Sequence, residues 1–147
     1  MDDKIRELIE DGGWINAAII IEVQGNDKEH VEDALKNMIE RLEKEEKIKV
    51  YEKNFHDPES LEGDMLSSHV EVKFVARDFG KLAYVALMYS PSSAQILSPK
   101  NLSLNAGEAE NILADISSVV VSLAHSVFAA QGEINRLKGT APSQKKS

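Results

Sequence analysis

Apolar residues alternate at period two along 14–24, WINAAIIIEVQ. Ile15, Ala17, Ile19, Ile21 and Val23 share one face; Trp14, Asn16, Ala18, Ile20, Glu22 and Gln24 share the other. This predicts a strand with one wholly apolar face and one mixed face, as in a central strand covered by helices on one side only. Before it, residues 2–11 place Ile5, Leu8 and Ile9 on one side of a short helix, which Gly12-Gly13 stops. After it, Gly25-Asn26-Asp27 makes a turn and a cap. Residues 28–46 then carry Val31, Leu35, Met38, Ile39 and Leu42 at helical spacing, with Glu and Lys crowding the outer side.

Period two returns in 47–55, KIKVYEKNF, and in 68–76, SHVEVKFVA, where Val70, Val72 and Phe74 point inward. The acidic stretch 56–66, HDPESLEGDML, reads as the hairpin loop between them. Phe79, Leu82, Ala83, Ala86 and Leu87 recur at helical spacing, predicting a second short helix that ends near Tyr89. Gly80 weakens that helix and leaves a strand over 82–89 as the alternative. Pro91 ends it, Ser92-Ser93 turn the chain, and a strand containing Ala94 and Ile96 runs to Pro99. The two prolines suit an edge strand.

The resulting order is strand, helix, strand, strand, helix, strand. That is the βαββαβ pattern of a ferredoxin-like α+β sandwich, here with a short N-terminal helix and a long C-terminal one. The long helix covers about 106–137, opened by Asn105 with Glu108 at capping-box spacing. Ile112, Ile116, Val119, Leu123, Val127, Ala130, Ile134 and Leu137 form a stripe with steps of three and four, widened by Val120, Ala124 and Phe128. No formal charge lies between Asp115 and Glu133. The run 116–132 is slightly short for a membrane span and contains serines, a histidine and a glutamine, so it reads as soluble and buried. One sheet face cannot cover it, and a second copy of the chain is expected to supply the rest. Residues 138–147 are small, polar and basic, and read as a disordered tail. The expected organisation is a single domain over 1–137, with 106–137 as its oligomerisation helix.

With elements placed, a resemblance emerges. EVKFVARDFGKLAYVALMYSPSSAQILSP is similar to a segment of uncharacterised archaeal proteins with a ferredoxin-like domain, matched at Glu71, Tyr89, Pro91, Ser92, Ser93, Ile96 and Pro99. IIIEVQGNDKEHVEDAL resembles that family's first strand, glycine turn and helix. The likeness covers roughly 14–110. Gln95 and Ser98 depart from it, where acidic residues are expected. It implies the fold and carries no activity to transfer.

Composition narrows the chemistry. The 147 residues carry a net charge of −8 and no cysteine. That excludes disulfides, thiolate metal sites and a cysteine nucleophile, fits a cytoplasmic protein, and gives no cationic face for nucleic acid. The open-face positions Asn16, Ala18, Ile20, Glu22, His69, Glu71, Lys73 and Val75 include no aromatic residue for base stacking. His69 and Glu71 share one strand face, and His56 is the third group that can approach them, but the spacing is not that of a zinc site. Ser92 and Ser93 lack a nucleophile elbow and read as a corner. His125 reads as an interface histidine.

The expected function is therefore a non-enzymatic interaction or regulatory module that self-associates, without cofactor, metal, nucleic acid or membrane. Its expected contact is formed by Ile112, Ile116, Val119, Val120, Leu123, Val127 and Phe128. The alternative is a small-ligand sensor of ACT-like layout, binding at a subunit interface through Gln24, Gly25, Asn26 and Asp27. An enzyme is the third reading, and a pocket gathering His69 and Glu71 would favour it.

Overall fold

A computed structural model describes residues 1–139. In chain order the elements are α1 (Asp3–Glu10), β1 (Ile15–Gly25), α2 (Lys28–Glu43), β2 (Ile48–Phe55), β3 (Glu59–Ser60), β4 (Leu66–Ala76), α3 (Phe79–Tyr89), β5 (Ser93–Ser98) and α4 (Ala106–Gly139). The described residues are α+β, with an antiparallel five-stranded sheet, four helices, a short first helix and a long last one. The expected tail at 138–147 meets α4 at its first two residues; 140–147 lie outside the described residues.

The sheet runs β2-β4-β1-β5, and the two-residue β3 joins the outer side of β4. Within the stretch expected to be only a hairpin loop, Glu59 pairs with Ser67 and Ser60 with Leu66. Register follows the alternation of the sequence. Ala17, Ile19 and Ile21 lie beside Phe74, Val72 and Val70, so the apolar positions of the two central strands share a face. β5 pairs with β1 as an edge strand, Ala94 beside Ile19 and Ile96 beside Ala17, and the register shifts between Ala17 and Asn16.

The main core fills the apolar face. Ile15, Ala17, Ile19, Ile21, Val70, Val72 and Phe74 pack against Leu35, Ile39 and Leu42 of α2 and Leu82, Val85 and Tyr89 of α3. Caps set the helix starts. Asp27 accepts from the amides of Glu29 at 2.9 Å and His30 at 3.5 Å, and Asp78 from that of Lys81 at 2.8 Å. α3 ends where Ser90 takes the left-handed conformation at φ 46°.

Two features depart from the expected one-sided sheet. First, α1 packs against β4. Val75 and Asn16, on the face away from the main core, are buried, as is Ile5 of α1. Asn16 accepts a 2.6 Å hydrogen bond from the Tyr51 hydroxyl. The mixed face is thus closed at one end and open over Ile20, Glu22, His69, Glu71 and Lys73. Second, α2 stops at Glu43, and Glu45, expected on a solvated helix face, turns inward. Its carboxylate accepts from Lys81 Nζ (2.9 Å), Tyr84 (3.2 Å) and Tyr89 (3.0 Å). The Lys81 bond, with help from the tyrosines, holds Glu45 below the ordinary carboxylate range. Burial and the neighbouring carboxylate push the Tyr89 hydroxyl up to about 12. This cluster ties the end of α2 to α3.

Candidate functional site

The corner Pro91-Ser92-Ser93 is tied to the sheet through Ser92 and through the pairing of Ser93 with Ile20. Ser92 donates to the Ile20 carbonyl from its amide at 2.8 Å and from its hydroxyl at 3.3 Å. This lays β5 along β1 and sets the gap between β5 and α3.

That gap is an apolar groove of about 380 Å³. Phe79, Leu82, Ala83, Ala86 and Leu87 of α3 form one wall, Ala94 and Ile96 of β5 the floor, and Ile112 and Ile116 of α4 the end. The wall follows from the helical spacing of α3, whose other side, with Val85 and Tyr89, is buried in the core. The floor follows from the β5 register, which puts Ala94 and Ile96 on the helix side of an edge strand where no second helix covers them.

α4 starts on Asn105. The Glu108 amide donates to Asn105 Oδ1 at 2.8 Å, and Asn105 Nδ2 donates back to the Glu108 carboxylate at 2.9 Å. The reciprocal pair expected from the spacing therefore forms, with the side-chain amide taking the return bond. α4 packs on α3, and Ile112, 9 % exposed, is its one buried residue among those described. Beyond it the helix leaves the body of the protein. At 34 residues it is about 51 Å long. Leu123 is 61 % exposed and Phe128 74 %, and Ile116, Val120, Val127 and Ile134 are exposed as well. Val119 is half-buried. The expectation that 116–132 is buried therefore does not hold within one chain, since the sheet ends before the helix does. By length and composition α4 is also the one helix among the described residues able to cross a membrane.

The other candidate residues stand apart from this surface. Gln24 donates to Glu22 at 3.0 Å, and Asp27 is occupied as the cap of α2. A Cβ on Gly25 would lie 2.9 Å from Val31 Cγ2, so the glycine is needed for the close approach of α2. Asn26 is exposed in the turn. On the open sheet face, His56 does reach His69: the rings stack at 4.1 Å and 16°. His56 Nε2 lies 3.7 Å from Glu71 but has no hydrogen-bond partner. Beside them Glu22 accepts from Gln24 and from Ser67 at 2.7 Å, and both bonds hold it below the ordinary carboxylate range. A stacked pair presents ring faces, not nitrogens, to a common point. No group of three metal-binding side chains converges among the described residues. His125 is exposed on α4. Sequence reasoning found the α4 stripe and missed the groove, because the groove exists only once β5 is laid beside β1.

No curated protein and no solved structure matches the chain. A family model does, through residues 16–146; the family is named after a Methanocaldococcus protein, in keeping with the archaeal resemblance of 14–110. The match runs beyond that resemblance and takes in all of α4, and on it the chain belongs to the MJ0538 family.

Proposed function

We propose that the protein is a non-enzymatic interaction module whose α4 binds a second copy of the chain. The observation that carries this is the long helix standing clear of the body with its apolar stripe bare. Leaving so many large aliphatic side chains in water is costly, at about 25 cal/mol per Å² of apolar surface. Contiguous exposure on this scale marks a surface that meets something else. The family match includes α4, so the helix belongs to the unit the family shares.

The distribution of side chains around α4 favours protein over lipid as its cover. At about 100° per residue, Asp115, Ser118, Ser122, His125, Ser126, Glu133 and Arg136 fall together in one polar arc. A helix surrounded by lipid is apolar on every side. The uncharged run of 17 residues, 116–132, spans about 26 Å, short of a hydrocarbon core of about 30 Å. A stripe with steps of three and four is the pattern by which helices pack side by side.

The finer fold reading belongs to the same proposal. A β2-β4-β1-β5 order, with α2 and α3 on one face, supports a ferredoxin-like sandwich. The ACT-like ligand reading has less behind it, because Asp27 and Gln24 are already committed to neighbouring groups.

A native mass spectrum of the intact chain tests the proposal. A multiple of the 16.3 kDa chain mass without added mass is expected. A bare monomer at all concentrations overturns self-association, and an oligomer carrying a small molecule returns the ligand reading to first place.

A further inference from the structure

Self-association through α4 leaves the direction of the pairing open, and the surface around α4 supplies it. We infer that two α4 helices pair antiparallel, so that the C-terminal half of each lies over the apolar groove of the other chain. This rests on the self-association proposed above and goes beyond it.

Two observations point this way. One is continuity. Ile112 and Ile116 are both the first members of the stripe and the end wall of the groove, so stripe and groove are one apolar surface with the groove at the N-terminal end. In a parallel pair, stripes meet end to like end, and the floor at Ala94 and Ile96 stays open. In an antiparallel pair centred on residue 125, Ile116 meets Ile134 of the other copy. The last turns of that helix then run over Ala83 and Ile96, and the whole surface is covered on both chains at once. That is the self-complementary contact a two-fold axis demands.

The other observation is charge. Glu108, Glu110 and Asp115 crowd the first third of α4, whereas Arg136 and Lys138 lie in its last two turns with Glu133. Parallel pairing stacks three carboxylates on three. Antiparallel pairing sets the acidic end of each helix beside the basic end of the other, with Asp115 opposite the Glu133–Arg136 ion pair. It also opposes the helix dipoles.

The chain has no cysteine, so single substitutions report proximity without background. Three variants are made in the full chain, Ile116→Cys, Ile134→Cys and Leu123→Cys, and treated with a short bis-maleimide. Leu123 sits near the centre and links to itself in either direction, so it reads association alone. The expected result is a covalent dimer from Leu123→Cys and from a mixture of Ile116→Cys with Ile134→Cys, and none from either end variant by itself. End variants that each link to themselves mean parallel helices and overturn the inference while association stands. A linked Leu123→Cys with no link in the mixture or the single end variants also overturns it. If Leu123→Cys stays unlinked and the unlabelled chain is a monomer, the self-association reading falls with it. Loss of fold in an end variant shows in its circular dichroism. The double variant Asp115→Lys/Arg136→Glu, carried in one chain and mixed with the unsubstituted chain, then gives the same answer. Antiparallel helices predict that each chain associates with its own kind more tightly than with the other, because the introduced lysine then faces the introduced glutamate as Asp115 faces Arg136, and equal preference or a preference for mixed pairs overturns the inference.

Discussion

α2 and α4 share one piece of sequence arithmetic and meet different fates. Val31, Leu35, Met38 and Leu42 are separated by four, three and four residues, and so are Ile112, Ile116, Val119 and Leu123. In α2 that stripe lies on the sheet, with Leu35 1 % exposed and Ile39 and Leu42 fully buried. In α4 it is buried at Ile112 alone. Periodicity states that a face needs cover; it does not state what covers it. The distinguishing signal is on the flanks. α2 surrounds its stripe with Glu and Lys, so one covered face is enough. α4 has no formal charge from residue 116 to 132, and its apolar surface exceeds what this chain provides.

The sharpest way to break that contrast is to truncate equivalent positions. Leu35→Ala leaves a hole between α2 and the sheet, and is expected to lower unfolding stability by roughly 2–5 kcal/mol, read by urea denaturation at any protein concentration. A loss below 1 kcal/mol would mean that α2 is not the core helix described.

Next in size is the cluster that anchors α2 to α3. Glu45→Ala leaves Tyr89 buried without its acceptor and is expected to cost about 1–3 kcal/mol. Its pH dependence is two-sided. Glu45 has a depressed folded pKa, so its contribution is present above the ordinary carboxylate pKa and is lost as pH falls through the folded value. Tyr89 has a raised one, so its contribution is complete below about 10 and disappears as pH rises to about 12. Tyr89→Phe is expected to remove the alkaline loss and keep the acid one. An unchanged alkaline limb would show that Tyr89 does not titrate in the way its surroundings require.

The smallest effect expected on the single chain is at Leu123, the counterpart of Leu42. With its side chain 61 % exposed, Leu123→Ala is expected to change the stability of the dissociated chain by no more than about 0.5 kcal/mol. It weakens association instead, which sedimentation at increasing concentration detects.

How much of this was legible in the sequence follows from which forces are local. The central strands, α2 and the Pro91 corner were readable because alternation, helical spacing and turn chemistry act over a few neighbours. β3 was not: Glu59 and Ser60 have no strand pattern and are ordered by β4. Nor was the Glu45 cluster, since Lys81, Tyr84 and Tyr89 lie 36 to 44 residues away in the chain. The cover that α1 gives Val75 depends on how Gly12-Gly13 folds the helix back, and no period announces it. The α4 stripe was plain and the groove at its foot was not, because only the β5 register creates the groove.

Hydrogen exchange of α2 and α4 followed across a dilution series asks both whether α4 is covered and whether a copy covers it. With α2 covered by its own sheet and α4 by a second copy, protection of the α2 amides is independent of concentration, while protection across 116–137 rises with concentration and collapses on dilution or on Leu123→Glu. Protection of α4 that is the same at every dilution would rule out cover by a second copy, and so would fast exchange of α4 at every concentration.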